Sequence, residues 1–260
     1  MLKIQNITHK YPLHFEPILN HLDLELVEGS FCVIIGSNGS GKSTLLKTIS
    51  GELKPQQGEI IFNQNNITKL SIHKRAQFLS SVTQDVTLGT ISEMTLLENM
   101  SLSVLRGQKA NFLGFKELES FFLKTLQSYQ LGLEKYMHTK LSNLSGGQRQ
   151  LAALVMACLT PPKLLLLDEH SSALDPKISQ KLMKLTSDLV EKHHMTTLMV
   201  THNLSDALLY GDRIIMMHKG KIVMDFKEET KKELNVKDLL GFFHRFENEP
   251  LVNVSEGIDG

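Results

Sequence analysis

The chain has 260 residues, with 28 basic residues balanced by 28 acidic ones and a hydrophobic content of 41%. That length holds one large domain, or a core with a second lobe, and the composition excludes a disordered or fibrous protein. Formal neutrality counts against a domain built to neutralise nucleic-acid phosphates, which carries a basic excess.

Cys32 and Cys158 sit far apart within apolar runs, which suits a reducing compartment better than a disulfide scaffold. The opening MLKIQNITHK lacks the uninterrupted apolar stretch of a secretion signal. The longest apolar run, 151–159, falls far short of the roughly 20 residues that span a bilayer. No membrane-crossing segment is expected.

In chain order, residues 2–4 and 22–26 alternate apolar and polar, as half-exposed strands do. Glu28-Gly29 makes a turn, and 31–35 is a continuous apolar run that reads as a buried strand. A glycine-rich loop, 36–44, follows, and 45–49 continues as a helix. Residues 59–62 and 80–84 predict two further strands. From Leu88 to Leu141 alternation stops, and Leu118, Phe121, Phe122, Leu126 and Tyr129 recur at helical spacing. This predicts a helical lobe, about 88–145, inserted into an α/β core. Residues 164–167 and 197–200 read as buried strands, and 214–217 with 221–224 as a hairpin through Lys219-Gly220. Beyond Lys227 the pattern weakens, and 247–260 carries four acids and no Lys or Arg. The expected organisation is one domain over 1–245 and a solvated acidic tail over 246–260.

Gly36-Ser37-Asn38-Gly39-Ser40-Gly41-Lys42-Ser43-Thr44 fits G-x-x-x-x-G-K-[ST], placed after a buried strand and opening a helix. The glycines let backbone N–H groups surround nucleotide phosphates, and the helix N-terminus adds its positive dipole end. Lys42 would reach the terminal phosphates and Ser43 would place its hydroxyl on Mg2+. The loop alone implies nucleoside triphosphate binding and nothing about its use. Residues 164–169, LLLLDE, form a buried strand ending in two acids, where ligands meet a parallel sheet. Asp168 suits a magnesium ion held through water, and Glu169 suits accepting a proton from an attacking water. Ser145-Gly146-Gly147-Gln148 opens another apolar helix: Ser145 is a good N-cap, and the two glycines leave the helix start bare for an anion.

GSNGSGKST, Gln84 after a strand, LSGGQ, LLLLDE, 172–175 (SALD) and His202 after a strand occur in that order, and with them the chain resembles the nucleotide-binding subunit of an ATP-binding-cassette (ABC) transporter over roughly residues 1–240. The resemblance implies an α/β fold: a RecA-like P-loop NTPase core of the ABC type, with an antiparallel β subdomain and an inserted α-helical subdomain. It implies ATP and Mg2+ as ligands, and a second copy of the chain paired head to tail, each ATP held between one phosphate loop and the partner's signature. Ser145, Gly146, Gly147 and Gln148 would then meet ATP in trans, and Asp175 would sit at the dimer contact. His202 would hydrogen-bond the γ-phosphate and orient water, Gln84 would touch Mg2+ or water, and Tyr11 would stack on adenine, with Phe15 nearby.

One position departs from the family pattern. The residue after the catalytic Glu is usually Pro, and here it is His170, which either perturbs the pKa of the base or points to solvent. Residues 164–177 (LLLLDEHSSALDPK), 196–203 (TTLMVTHN) and 213–222 (RIIMMHKGKI) are similar to ATPases of tryptophan/tyrosine-type uptake systems.

The resemblance therefore implies an ATPase on the cytoplasmic face of a membrane, driving solute uptake through a separate permease, with a substrate-binding protein acting indirectly. Met94, Leu96, Leu97 and Phe115 supply either a groove for a permease helix or the lobe's own core. The alternative is a soluble ABC ATPase of the non-transport type, associated with nucleic acid or ribosomes. Such proteins usually carry two cassettes, a coiled-coil insertion or a basic surface, none of which this sequence has. A kinase or GTPase would leave LSGGQ and His202 without a role.

Overall fold

The computed structural model describes residues 1–12, 15–106 and 115–248. In chain order the strands are β1 (Leu2–His9), β2 (Leu19–Leu26), β3 (Phe31–Gly36), β4 (Gln57–Phe62), β5 (Asn65–Asn66), β6 (Leu79–Thr83), β7 (Leu164–Asp168), β8 (Thr196–Val200), β9 (Arg213–His218) and β10 (Lys221–Phe226). The helices are α1 (Lys42–Ser50), α2 (Ile72–Arg75), α3 (Leu96–Val104), α4 (Phe115–Ser128), α5 (Gly146–Cys158), α6 (Pro176–His193), α7 (Leu204–Tyr210), α8 (Glu228–Lys231) and α9 (Val236–Asn248).

Two sheets organise these elements. A four-stranded antiparallel sheet runs β2-β1-β4-β5, and a six-stranded sheet runs β10-β9-β3-β8-β7-β6. In the larger sheet, every pairing from β9 to β6 is parallel and only the edge strand β10 is antiparallel. The apolar runs of β3 and β8 are buried throughout, as both-sided coverage of a parallel sheet requires. The β9–β10 turn is the expected hairpin, with Lys219 and Gly220 both at positive φ.

The central sheet separates two cores, because successive strand residues face opposite sides. Phe31, Val33, Ile35, Leu165 and Leu167 face the core shared with α3, α5 and α6. Cys32, Ile34, Leu164 and Leu166 face the core shared with α1 and the antiparallel sheet. Helix α1 ends on the second core, where the buried guanidinium of Arg75 caps it. Arg75 Nη1 donates to the carbonyls of Thr48 (2.9 Å) and Ile49 (2.6 Å), and Nη2 to that of Thr68 (2.9 Å). A cation among the last carbonyls of a helix satisfies orphan acceptors and the negative dipole end together.

Between β6 and β7 lie α3 and α4, within the stretch 88–145, followed by α5, the apolar helix that Ser145 opens. Thr95 and Glu98 form a capping box that starts α3. Leu96, Leu97, Met100, Phe122 and Leu126 are buried inside the lobe. Leu96 and Leu97 therefore belong to the lobe's own core and not to a groove; Met94 is half-buried, and the side chain of Phe115 lies outside the described residues.

The chain beyond Lys227 is more ordered than its sequence suggests. Asn235 accepts from the N–H groups of Lys237 and Asp238 to start α9, which buries Leu239 and packs Phe242, Phe243 and Phe246 on the core. A boundary at 246 cuts this helix, so the expected tail is corrected at its start, and its remainder, 249–260, lies outside the described residues.

Candidate active site

The phosphate loop joins β3 to α1 and is shaped by its neighbours. Gly41, the N-cap of α1, has φ 102°, and a Cβ there would lie 2.6 Å from the Ile18 carbonyl oxygen. Only glycine fits. Gly39, at φ 78°, has open space where a Cβ would stand, so the loop is tight behind and clear in front. Ser40 Oγ is buried without a hydrogen-bond partner, an unmet group that an anion in the loop would satisfy. Lys42 is buried and donates from Nζ to the carbonyls of Gly36 (2.8 Å) and Ser37 (2.9 Å). Burial lowers its pKa, opposed by the nearby carboxylates Glu169 and Asp168.

The parallel register brings the remaining groups to the same sheet edge. Thr83, Asp168 and Val200 are aligned at the ends of β6, β7 and β8, so Gln84, Glu169 and His202 emerge just beyond them. Ser43 Oγ donates to Asp168 Oδ1 at 3.2 Å. Burial raises the pKa of Asp168, the Ser43 hydrogen bond opposes this, and the negative charge of Glu169 adds to the rise. Oε1 of Glu169 lies 2.5 Å from Nε2 of His202, and the His202 side chain is 42% exposed. Glu169 itself has φ 50°, a left-handed conformation that non-glycine residues seldom adopt.

Ser43, Asp168, Lys42, Glu169 and His202 are thus brought together within one chain. Their oxygen donors fit a hard cation only in part. Among the described residues no group of three His, Cys, Asp or Glu could hold a metal alone, so Mg2+ would take its other ligands from phosphate and water, as that ion usually does.

The signature helix start stands apart from this cluster. Ser145 and Gln148 form a reciprocal capping box: the Gln148 N–H donates to Ser145 Oγ (3.3 Å) and the Ser145 N–H to Gln148 Oε1 (2.9 Å). Gly147 packs against Ile178 of α6, while Gly146 has open space above it. Among the described residues no hydrogen bond joins 145–148 to 36–44 of the same chain. Asp175 caps α6, accepting from the N–H groups of Lys177 and Ile178, both at 3.1 Å. Gln84 is exposed, and Tyr11 is half-buried with its ring edge-on to His9 at 5.0 Å between centroids. Phe15 is 99% exposed.

Two residues carry more than their sequence context signals. Gln150, buried in α5, donates from Nε2 to the Thr83 carbonyl at 2.9 Å and so ties the signature helix to the end of β6, just before Gln84. Its signal was only a polar residue inside an apolar helix. His170 neither points to solvent nor adds a charge beside Glu169: it is 2% exposed, and burial lowers its pKa to about 4.

A groove of about 720 Å³ opens on the far side of β6, with Ile72, Val82, Leu88, Ile91, Leu102 and Arg106 in its walls. Leu88 is 77% exposed there. Arg106 donates to the carbonyls of Ala157 (3.0 Å) and Thr160 (2.7 Å) and to Ser80 Oγ, which fastens the groove to the end of α5. Among the described residues no helix is long and apolar enough to cross a membrane.

The ABC transporter family profile matches residues 19–172. The chain is 45% identical over 247 residues to a tyrosine transport ATP-binding protein of Clostridioides difficile, covering 94% of this chain and 98% of that one. It is 34% identical to the spermidine/putrescine import ATP-binding protein PotA of Borrelia garinii subsp. bavariensis, covering 93% of this chain and 67% of that one. Among solved structures it superposes on the ATP-binding cassette MJ0796, a dimer in a post-hydrolysis state bound to ADP and Pi, with a TM-score of 0.78 and 31% identity over 88% of this chain and 99% of that one. A loop shaped for phosphate, an acid–histidine pair beside it and likeness along nearly the whole chain converge on one assignment: this chain belongs to the ABC transporter family, as an ATP-binding and ATP-hydrolysing cassette.

Proposed function

We propose that the chain powers uptake of a solute of the aromatic amino-acid class through a separate membrane permease, as a head-to-tail pair on the cytoplasmic face. The observation that carries the catalytic part is the Glu169–His202 contact of 2.5 Å beside Lys42 and the phosphate loop. When ATP enters, Lys42 exchanges the Gly36 and Ser37 carbonyls for terminal phosphate oxygens, a stronger charge-assisted pairing. Ser43 and Asp168 would hold Mg2+, with Gln84 reaching it or its water; that ion supplies neutralisation of phosphate charge. Glu169 accepts the proton of the water that attacks the γ-phosphorus, and the bond to the leaving ADP oxygen breaks. His202, exposed enough to turn, passes from Glu169 to the γ-phosphate and holds the water in line.

The signature start supports a composite site. Its own phosphate loop makes no hydrogen bond to it, while Gly146 is open to an approaching phosphate. In this reading Ser145, Gly146, Gly147 and Gln148 meet the ATP of a second copy, Asp175 lies at the contact between copies, and Tyr11 stacks on adenine. The groove beside β6 supports a permease, because Leu88, Ile91, Ile72 and Leu102 leave an apolar wall exposed. The solute class rests on the likeness to the tyrosine transport protein.

The test is to purify the chain with its permease and substrate-binding protein and to measure ATP turnover as each amino acid is added. Stimulation by tyrosine or tryptophan and not by polyamines supports this reading. Stimulation by another solute class would replace it.

A further inference from the structure

His170 is a buried titratable group that the mechanism leaves unused. Its Nε2 lies 3.2 Å from Oγ1 of Thr186, midway along α6. The hydroxyl proton of Thr186 is committed to the Leu182 carbonyl at 2.8 Å, so this oxygen can only accept from the imidazole. His170 therefore carries its proton on Nε2, and Nδ1 is left buried as an acceptor without a hydrogen-bond partner. An apolar side chain would fill the same space with no unmet acceptor. What the imidazole adds is one directional bond to α6.

That bond is made by the residue that directly follows Glu169. Glu169 holds a left-handed φ of 50°, and such a conformation persists only where the surroundings over-determine it. On one side the Glu169 N–H donates to the Val200 carbonyl (3.0 Å). Its own carbonyl accepts from the Ser172 N–H (3.1 Å) and from Ser172 Oγ (2.9 Å). On the other side the next residue is pinned to α6, the helix that Asp175 caps at the end of the same loop.

We propose that His170 is a positioning residue for ATP hydrolysis, its hydrogen bond to Thr186 holding Glu169 and the 171–175 loop as one unit on α6. This rests on Glu169 being the catalytic base. Buried between the Glu169 turn and α6, His170 and Thr186 both act through the backbone of Glu169. Loss of the bond frees the turn and lets the carboxylate leave its place beside the attacking water.

The experiment measures steady-state ATP turnover of the parent, Thr186→Val, Thr186→Ser, His170→Phe and Glu169→Gln, with the melting temperature of each. Thr186→Val keeps shape and removes the acceptor, while Thr186→Ser keeps it. We expect Thr186→Val and His170→Phe to lower kcat by about 10- to 100-fold, as small misplacements of catalytic groups do. KM for ATP should stay within about twofold, because nucleotide contacts are untouched. Thr186→Ser should restore kcat. A merely structural pair would lower the melting temperature and leave kcat per folded molecule at the parent value, which overturns the proposal while Glu169→Gln is inactive. Should Glu169→Gln turn over like the parent, the base itself is misassigned and the proposal falls with it. If His170→Phe fails to fold, the Thr186→Val and Thr186→Ser pair decides.

Discussion

Glu169 and His202 face each other from the ends of adjacent strands, β7 and β8, with Oε1 of one 2.5 Å from Nε2 of the other. The register that aligns Asp168 with Val200 brings the two residues side by side just beyond the strand ends. In the proposed mechanism this pair holds the base and its water-orienting partner together before nucleotide arrives. His202→Ala should therefore act mainly on the chemical step. Turnover should fall about 10- to 100-fold while ATP affinity changes little, since the lost hydrogen bond matters most in the transition state. Steady-state kinetics beside a direct ATP titration would check the split.

Lys42 presents the opposite case. Its Nζ donates to two backbone carbonyls, which the proposed mechanism exchanges for phosphate oxygens. Lys42→Ala should weaken ATP binding itself, by roughly 1.5–3 kcal/mol for a charged hydrogen bond, or about 10- to 150-fold in Kd. Calorimetric titration measures this, and unaltered affinity would contradict the placement of the loop.

The buried His170 makes a pH-dependent contribution to stability. Its pKa falls from 6.5 to about 4 in the folded chain, so between those values the unfolded chain binds a proton that the folded one refuses. Stability is fully present above pH 6.5 and is lost as pH drops toward 4, at up to about 1.4 kcal/mol per pH unit. Between pH 7 and 5 the parent should lose about 2 kcal/mol more than His170→Gln, read from urea unfolding at each pH. Parallel pH profiles would contradict a neutral buried ring.

Arg75 joins α1 to the antiparallel sheet by donating to four carbonyls, those of Thr48, Ile49, Thr68 and Leu70. Arg75→Met keeps most of the volume and strands those acceptors, several of them buried. The expected loss is at least about 3 kcal/mol, given about 1–3 kcal/mol for each buried group left unpaired. Denaturant midpoints would register it, and a loss within 0.5 kcal/mol, typical of surface changes, would mean that water serves the carbonyls instead.

Much of this arrangement was legible because its signals are local. The run 31–35, the loop 36–44 and LLLLDE are each contiguous and appear where expected, as does the hairpin at Lys219-Gly220, and helices α3 and α4 fall between β6 and Ser145. Facing was harder to read. Phe121 and Phe122 share one helix, yet Phe122 is fully buried and Phe121 is 50% exposed. Leu96 and Leu97 went to the lobe's core for the same reason: tertiary packing decides which side of a short helix is covered. Helix α9 is weakly signalled although Leu239, Phe242, Phe243 and Phe246 carry helical spacing, because Gly241 interrupts the run and acidic residues close it. The left-handed turn at Glu169 and the Thr186 partner of His170 have no sequence signature, since both depend on how α6 packs behind β7.

The most direct measurement of the central claim is ATP turnover and nucleotide retention in Glu169→Gln. The side chain keeps its shape and loses its basicity, so the chain should still bind ATP and sediment as a nucleotide-bound dimer, with turnover lowered by about 100-fold or more. Turnover at the parent rate would contradict Glu169 as the base and, with it, the catalytic role given to its contact with His202.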